Sequence, residues 1–334
     1  AIALRDDKVV RMYSENFDDK GIISFDIENL KNDKEHDWAN YPKGVIDVLR
    51  KHGYDVNKGF DMFVYGNIPN GAGLSSSASL ELLMAVMMND IYDFNIYRVE
   101  LVKYCQEAEN DFIGVNCGIM DQFAVAVGKK DHAILLDCAS LYYEYAPLNL
   151  GEYSLVIMST NKRRELADSK YNERRAECEK ALAIINSNKE RKLENLCQAT
   201  LDDIEKFITD ETIKRRAVHV VSENERVKMS MEMLKNNDIL GFGELLTASH
   251  MCLEKDYEVT GIHLDTLVHE ALKIEGCIGA RMTGAGFGGC AIALVDNAKV
   301  IEFKEKVSVA YEEVTKIKPS FYTSNIGEGT HVLN

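Results

Sequence analysis

The chain has 334 residues, with 54 acidic and 39 basic side chains, and carries a net charge of −15 at neutral pH. This length can form two domains, or one large domain around a substantial core. The acidic balance argues against nucleic acid or an anionic membrane as a partner, because both would need a basic surface.

Eight cysteines are scattered along the sequence, and no two of them form a Cys-x-x-Cys pair. Most stand in apolar or helical stretches, which is typical of reduced, buried thiols in a cytoplasmic protein. A zinc site would require closer ligand spacing. No stretch approaches the uninterrupted apolar length of a membrane span. We therefore expect a cytoplasmic protein without membrane contact. The sequence leaves the protein partners and the oligomeric state open, a monomer included.

Hydrophobic alternation, helical periodicity and turn residues predict the elements of the first half of the chain. Strands are predicted at residues 9–14, 21–27, 60–66 and 133–137, and helices at residues 41–52, 75–92 and 97–111. Pro147 and Gly151 then interrupt the pattern, so we expect a domain boundary between them.

The second half of the chain is richer in predicted helices. Strands and helices alternate irregularly, which favours an α+β fold of two lobes over a regular doubly wound sheet. The predicted lobes are residues 1–150 and 151–334. The elements predicted in the second lobe are a strand at 153–159, a charged helix at 164–185, further helices up to 274, and closing strands at 291–295 and 321–326.

The most informative segment is Ile-Pro-Asn-Gly-Ala-Gly-Leu-Ser-Ser-Ser-Ala-Ser at residues 68–79, which leads into an apolar helical run. Gly71 and Gly73 lack a Cβ and allow a bulky ligand to approach the backbone. The first turn of the following helix offers unpaired N–H groups, and three serines add hydroxyl donors. These features predict a cradle for nucleotide phosphates; a flexible loop before a helix is the simpler alternative. The residues predicted to bind ATP here are Gly71, Ala72, Gly73, Leu74, Ser75, Ser76 and Ser77.

Two acidic segments could serve phosphoryl transfer from ATP, which needs a divalent cation and a group that orients or deprotonates the acceptor hydroxyl. Glu107 and Glu109 end a predicted helix, and are either cation ligands or ordinary solvated side chains. Asp121 stands among apolar neighbours, where an unpaired charge would be costly to bury. It is therefore either a functional carboxylate, buried with a partner or exposed in a cleft, or the N-cap of a helix at 122–127.

Three further segments combine aromatic, charged or glycine residues in ways that could bind a ligand. Trp38 and Tyr41 could stack on adenine, but a lone tryptophan beside a helix start is more often packed in a core. Tyr171 lies in a densely charged stretch that otherwise has the pattern of a solvated helix. Four glycines between residues 284 and 289 precede a strand, which indicates that the backbone approaches another loop or a ligand there.

Taken in order, these motifs resemble those of the GHMP small-molecule kinases, and most closely the galactokinase branch. Pro-x-Gly-Ala-Gly-Leu-Ser-Ser-Ser-Ala resembles the ATP-binding loop of that family, and Gly-Ile-Met-Asp-Gln-Phe resembles its catalytic segment. Ser-x-Tyr-Asn-x-Arg-Arg resembles the segment that contacts the sugar, and residues 279–290 resemble the third conserved motif. The resemblance covers nearly the whole chain. It implies a two-lobed fold with nucleotide and sugar in the cleft between the lobes.

The resemblance also implies a role for each candidate residue. Asp121 would bind the sugar and accept, or at least orient, the proton of its anomeric hydroxyl. Ser77 and Glu109 would bind Mg²⁺, which takes few protein ligands beside waters and phosphate oxygens. Tyr171 would pack against the sugar and offer one hydrogen bond. The residues implied beside the adenine are Trp38 and Tyr41.

The implied activity is ATP-dependent, Mg²⁺-assisted phosphorylation of α-D-galactose to galactose 1-phosphate. Two alternatives stay open: an N-acetylgalactosamine kinase, and a galactose- and ATP-binding regulator without turnover. The intact serine run and Asp121 favour the enzyme over the regulator. Galactokinases also open with Gly-Arg-x-Asn-x-Ile-Gly-Glu-His-x-Asp-Tyr, which supplies sugar ligands and an arginine, and no such string occurs in this sequence. We therefore expect a galactokinase without that amino-terminal segment, with little or no activity as the chain stands.

Overall fold

The computed structural model of the chain describes residues 1–68, 74–162 and 167–333, with only the backbone described from 167 to 169. Within these residues the strands are β1 (Ile2–Leu4), β2 (Val9–Ser14), β3 (Ile23–Asp26), β4 (Phe60–Val64), β5 (His132–Leu136), β6 (Tyr143–Pro147), β7 (Tyr153–Ser159), β8 (Cys277–Thr283), β9 (Cys290–Asp296) and β10 (Ser320–Ser324). The α-helices are α1 (Asn40–Lys51), α2 (Ser76–Ile91), α3 (Arg98–Glu107), α4 (Met120–Val127), α5 (Ala167–Asn188), α6 (Leu201–Phe207), α7 (Glu211–Lys235), α8 (Ile239–Cys252), α9 (Gly261–Leu272) and α10 (Val300–Thr315).

The first sheet has the strand order β1-β4-β2-β3. β2 and β4 run parallel, while β1 and β3 pair antiparallel at the two edges. The sheet and helices α1 to α4 share one hydrophobic core, whose buried side chains lie between residues 10 and 127. In α1 the buried Val45, Ile46 and Leu49 recur at helical spacing, so one face of the helix enters this core.

The second sheet has the order β10-β7-β9-β8, and each neighbouring pair of strands is antiparallel. α9 and α10 pack against it and share a second core with it, whose buried side chains lie between residues 156 and 311. Because the two cores draw on separate stretches of chain, they support the predicted boundary at 147–151, which stays a prediction.

Helix α8 covers the free edge of β8 instead of another strand. Nδ1 of His250 accepts a hydrogen bond from the backbone N–H of Met282 at 3.2 Å, which pairs a strand donor that the sheet leaves open. The helix lies close to the strand because a Cβ on Gly279 would be 2.0 Å from the carbonyl oxygen of Gly243. Glycine at 279 therefore permits the contact.

Helices α5, α6 and α7 form a third hydrophobic cluster, and the β5–β6 hairpin packs on α7. The carboxyl-terminal segment then returns to the first lobe. The N–H of Gly329 donates to the carbonyl of Gly128 at 2.7 Å, and the N–H of Thr330 donates to Val125 at 2.8 Å. The last described residues therefore pair with α4 and with the residue that follows it.

The α+β prediction is confirmed, and the strand predicted at 153–159 coincides with β7. Strands β1, β6 and β8 and helix α10 were not predicted. β8 belongs to the glycine-rich segment, where the sequence lacks a clear strand alternation. All eight cysteines lie in described residues, and none of them forms a disulfide. No described helix is both long and apolar enough to cross a lipid bilayer.

Candidate active site

The amino terminus of α2 is the part of the phosphate-loop motif that the structure describes. The predicted ligands Gly71, Ala72 and Gly73 lie outside the described residues. Ser75 precedes the helix with φ 58° and ψ 35°, a left-handed conformation that costs a residue other than glycine about 1 kcal/mol or more. No side chain of a described residue caps α2, so the N–H groups of its first turn could bind an external acceptor such as a phosphate.

The chain is held firmly just before this loop. The side-chain amide of Asn16 donates to the carbonyl of Gly66 at 2.6 Å and accepts from the N–H of the same residue at 2.8 Å. These paired bonds imitate a strand pairing and fix the backbone that enters the loop. No local pattern predicts this contact, because the two residues are 50 positions apart.

Glu109 lies in a single π-helical turn, Ala108–Ile113, that continues α3 and ends at Gly114, whose φ is 88°. Such turns are frequent at functional sites because they re-aim side chains. Glu109 is only 8% exposed, and the hydroxyl of Ser77 lies close enough to its carboxylate to oppose part of the pKa shift. Burial raises the pKa of Glu109, and the negative charge of Asp121 adds to the shift.

The Ser77 hydroxyl and the Glu109 carboxylate fit the ligand set of one Mg²⁺ ion. Neighbouring ligands of an octahedral Mg²⁺, each at about 2.1 Å, lie about 3 Å apart. The Ser77 hydroxyl lies close enough to the Glu109 carboxylate to lower its pKa, so both groups are near enough to serve one ion.

Glu107, the competing carboxylate, faces elsewhere. Its Oε2 lies 2.9 Å from Nε2 of His52, on the side of the first lobe where α1 ends. The structure therefore separates the two glutamates that the sequence left as alternatives, and brings only Glu109 to Ser77.

A second buried acid, Glu81, joins this cluster and was not predicted. Its side chain is 0% exposed, and burial raises its pKa to about 9, with the adjacent Glu109 adding to the shift. It stands four residues after Ser77 on α2, so both side chains lie on one face of the helix. An acid among the apolar residues of a helix, at helical spacing from a candidate ligand, was the available signal in the sequence.

Asp121 is the second residue of α4 and is half-buried. The helix begins at Met120, preceded by Ile119, and no side chain caps it. The N-cap interpretation of Asp121 is therefore wrong. Among the described residues, no cationic side chain forms an ion pair with Asp121, while its charge raises the pKa of both Glu81 and Glu109. Three carboxylates thus converge from α2, the π-helical turn and α4.

The two aromatic candidates lie in different surroundings. Trp38 is 4% exposed, belongs to the first core and stacks on Phe17 with ring centroids 6.4 Å apart. This burial corresponds to the core-packing alternative and leaves little ring face for a base. Tyr41, in the first turn of α1, is half-buried; burial raises its pKa, and the charges of Glu109 and Glu81 contribute. Tyr41 therefore lies beside the carboxylate cluster.

Tyr171 lies near the start of α5, and its side chain is 39% exposed. One turn later Arg174 is buried, and its guanidinium donates to the carbonyl of Tyr257 at 2.7 Å and to Glu177 at 2.7 Å. These bonds fix the helix and leave Tyr171 accessible to a ligand. No contact between described residues joins Tyr171 to the carboxylate cluster.

The glycine-rich third motif approaches another loop. A Cβ on Gly286, whose φ is 84°, would lie 2.1 Å from the carbonyl oxygen of Val259. That carbonyl accepts a hydrogen bond from the N–H of Phe287 at 2.8 Å. On the other side, the hydroxyl of Thr160 donates to the carbonyl of Gly289 at 2.8 Å. These bonds explain the glycine pattern by close packing of the backbone against another loop, which is one of the two predicted alternatives; the other was a ligand.

A second polar cluster joins His250, Glu254 and His269, whose potential ligand atoms all lie within 4.8 Å of one another. Burial lowers the pKa of His250 to about 4, so its ring is neutral at pH 7. Because Nδ1 accepts the N–H of Met282, the ring proton must lie on Nε2, which then has no lone pair for a metal. Nε2 lies 3.7 Å from Oδ1 of Asp265. The bond from Met282 to Nδ1 therefore gives His250 a structural role and argues against a metal centre.

A cavity of about 480 Å³ lies apart from the cluster, between the β5–β6 hairpin, β7 and the end of β10. Polar groups of Asp131, Asn149 and Asn325 line part of it, and none of the predicted site residues does. The converging carboxylates, not this cavity, mark the site.

Comparison with known proteins finds relatives of this chain. The GHMP kinases N terminal domain family matches residues 40–129, and the GHMP kinases C terminal family matches residues 230–313. A galactokinase of Clostridium tetani is 56% identical over 333 residues, which cover 98% of this chain and 84% of that protein. A galactokinase of Fusobacterium nucleatum is 53% identical over 328 residues, or 97% of this chain and 84% of that protein.

Solved structures give the same result for the fold. The crystal structure of Lactococcus lactis galactokinase complexed with galactose has a TM-score of 0.93 and 46% identity, covering 99% of this chain and 86% of that one. A mevalonate kinase structure has a TM-score of 0.64 at 17% identity, covering 99% of this chain and 89% of that one, and shares the fold alone.

Proposed function

Because this chain belongs to the galactokinase family of the GHMP kinases, we propose that it transfers the γ-phosphoryl group of ATP to the anomeric hydroxyl of α-D-galactose. The products are galactose 1-phosphate and ADP. The structural observation that carries the proposal is the meeting of Ser77, Glu109 and Asp121, which come from three separate segments of the chain. Cation binding and hydroxyl activation both need oxygen ligands of this kind.

The phosphates of ATP would bind at the loop of residues 71–77 and at the uncapped start of α2. Backbone N–H groups of the first turn and the hydroxyls of Ser75 and Ser76 supply donors, and the helix dipole favours a negative charge there. Tyr41 would lie beside the nucleotide. The burial of Trp38 supports a packing role under the adenine pocket better than direct stacking.

Ser77 and Glu109 would hold Mg²⁺, which would neutralise charge on the phosphates during transfer. The cluster suits a cation, since Glu81, Glu109 and Asp121 together form no ion pair with any described residue. Glu109 contributes a carboxylate already fixed by hydrogen bonds, and Ser77 contributes a hydroxyl.

Asp121 would act on the sugar. As the anomeric oxygen forms its bond to the γ-phosphorus and the bond from that phosphorus to the β,γ-bridging oxygen breaks, the hydroxyl proton passes to the carboxylate of Asp121 and then to solvent. At the least, Asp121 would orient the hydroxyl for in-line attack. The exposed Tyr171 would pack against the sugar from the second lobe. The proposed lobes are residues 1–150 and 151–334, with the substrates in the cleft between them.

The test measures ADP release and sugar phosphate formation with galactose, with N-acetylgalactosamine and without sugar. In a protein that carries the opening string of the galactokinases we expect turnover with galactose, and Asp121→Asn should lower it by about 10²–10⁴-fold while leaving ATP binding intact. Asp90→Asn, on the exposed end of α2, is the matched control and should keep full turnover.

Three results would contradict the proposal. Turnover of N-acetylgalactosamine in place of galactose would reassign the substrate. ATP and galactose binding without turnover by the unaltered protein would indicate a regulator. Unchanged turnover in Asp121→Asn would remove that residue from the chemistry.

A further inference from the structure

Gln122 follows Asp121 in the chain but lies inside the protein, with 1% of its surface exposed. Its side-chain nitrogen Nε2 lies 2.7 Å from Oε2 of Glu109 and 3.1 Å from Oε2 of Glu81. One amide thus stands between two buried carboxylates that come from different elements, the π-helical turn and α2.

The two N–H groups of this amide match the two acceptors. Each carboxylate offers an oxygen to Nε2, so both donors of the amide are used. Oε1 of Gln122 and Oε1 of Glu81 are buried and have no hydrogen-bond partner among the described residues. The Gln122 contact fixes one oxygen of Glu109 and leaves the carboxylate's other oxygen for a further ligand.

We propose that Gln122 is a positioning residue for the metal site: its amide holds the carboxylate of Glu109 in the orientation in which that group binds the divalent cation. The inference rests on the proposed role of Glu109. It assigns to Gln122 no contact with substrate or ion.

The chemistry of an amide suits this place better than the other side chains of similar size. A methionine or leucine would leave two buried carboxylates without a donor. A lysine would pair with Glu109 and compete with the cation for its charge. A glutamine donates to both acids and leaves the charge of Glu109 for the ion.

The position of Gln122 also couples the cation site to Asp121. Both residues lie in the first turn of α4, and the bonds of Gln122 tie that turn to α2 and to the π-helical turn. A change in the amide should therefore displace the carboxylate of Glu109 most, and that of Asp121 to a smaller extent.

The experiment measures the affinity of the protein for Mn²⁺, a spectroscopic substitute for Mg²⁺, in the presence of saturating ADP. Free Mn²⁺ is followed by electron paramagnetic resonance, so the readout does not depend on turnover. Gln122→Met should weaken Mn²⁺ binding by about 10–100-fold, the usual effect of losing a group that orients a metal ligand. In EDTA, the ADP affinity of the variant should stay within about twofold of that of the parent protein, because the amide contacts none of the residues proposed to bind the nucleotide.

Two control variants separate this role from a loss of stability and from the metal assignment itself. Asn89→Met removes another partly buried amide, which bonds the backbone of Ile96 at the far end of α2, and should leave Mn²⁺ affinity unchanged. Glu109→Gln should abolish most of the Mn²⁺ affinity.

The outcomes are distinguishable. If Gln122→Met keeps the parental Mn²⁺ affinity while Glu109→Gln loses it, the positioning role of Gln122 is overturned and Glu109 stays the proposed metal ligand. Parental affinity in Glu109→Gln overturns the proposed metal ligand, and the inference with it. If Gln122→Met does not fold, Gln122→Asn decides: its amide is one methylene too short to reach both carboxylates, so parental affinity there overturns the inference and weakened affinity supports it.

Discussion

Replacing Glu81 by glutamine should make the protein more stable at neutral pH. Glu81 is fully buried, and its pKa is raised from the ordinary 4.5 to about 9, mainly by burial. Glutamine has nearly the same shape. Its carbonyl can accept from Gln122 as Glu81 Oε2 does, and its NH₂ group can donate to Glu109. The substitution therefore removes an ionisable group without removing its contacts.

The magnitude follows from the difference between the two pKa values. The folded pKa lies above the unfolded one, so the folded chain binds the proton more tightly, and the unfolding free energy falls as pH rises from 4.5 towards 9. Because Glu81 stays protonated in the folded chain, the unfolding free energy falls by about 1.4 kcal/mol for each pH unit above 4.5. The total loss at pH 7 is about 3 kcal/mol. This is an upper bound, because water entry and relaxation around an ionised Glu81 reduce the penalty.

The assay is urea unfolding of the parent protein and Glu81→Gln between pH 5 and pH 8, in EDTA so that no divalent cation shifts the equilibrium. The variant should gain little at pH 5, and its advantage should grow with pH to as much as about 3 kcal/mol at pH 7. Glu312→Gln, on the exposed face of α10, is the matched control and should change the unfolding free energy by less than about 0.5 kcal/mol at every pH.

Parallel stability profiles for the parent and Glu81→Gln would refute the reasoning. They would mean that Glu81 ionises as readily in the folded chain as in the unfolded one. A constant loss of stability in the variant would show instead that the hydrogen bonds of the acid are not reproduced by the amide.

Two further predictions concern the second lobe. Gly286→Ala should lower the unfolding free energy by about 2–4 kcal/mol in urea unfolding, because the new Cβ meets the Val259 carbonyl at 2.1 Å and φ is 84°. Gly151→Ala is the control: its φ is 55° but its Cβ enters open space, so the cost should be only about 1 kcal/mol. His250 has its pKa lowered to about 4 by burial, so the stability it confers is complete above pH 6.5 and is lost as pH falls towards 4. Between pH 6.5 and 4.5 the parent should therefore lose about 2 kcal/mol more than His250→Gln, and equal losses in both proteins would contradict this.

Much of the candidate site could be predicted from the sequence because its signals are local. A glycine-rich turn before three serines and an apolar helix specifies a helix start with open N–H groups, whatever surrounds it. The resemblance to a kinase family then singled out Ser77, Glu109 and Asp121. The structure brings the Ser77 hydroxyl and the Asp121 carboxylate close enough to Glu109 for both to act on its pKa.

Other features depended on contacts that no local pattern encodes. The N-cap interpretation of Asp121 failed because the helix begins one residue before it, a shift smaller than sequence patterns resolve. Which glutamate reaches the site, Glu107 or Glu109, depended on a π-helical turn. Whether Trp38 is buried or exposed depended on how α1 packs.

The sequence by itself determined which chemical groups this protein has and which elements carry them, because periodicity and turn chemistry act over three or four residues. The tertiary structure alone decided that Glu81, Glu109 and Gln122 form one buried unit. Gln122 and Glu81 are 41 positions apart, and only the packing of α2 against α4 brings them within 3.1 Å. Burial then raises the pKa of both acids, a property that no residue has on its own.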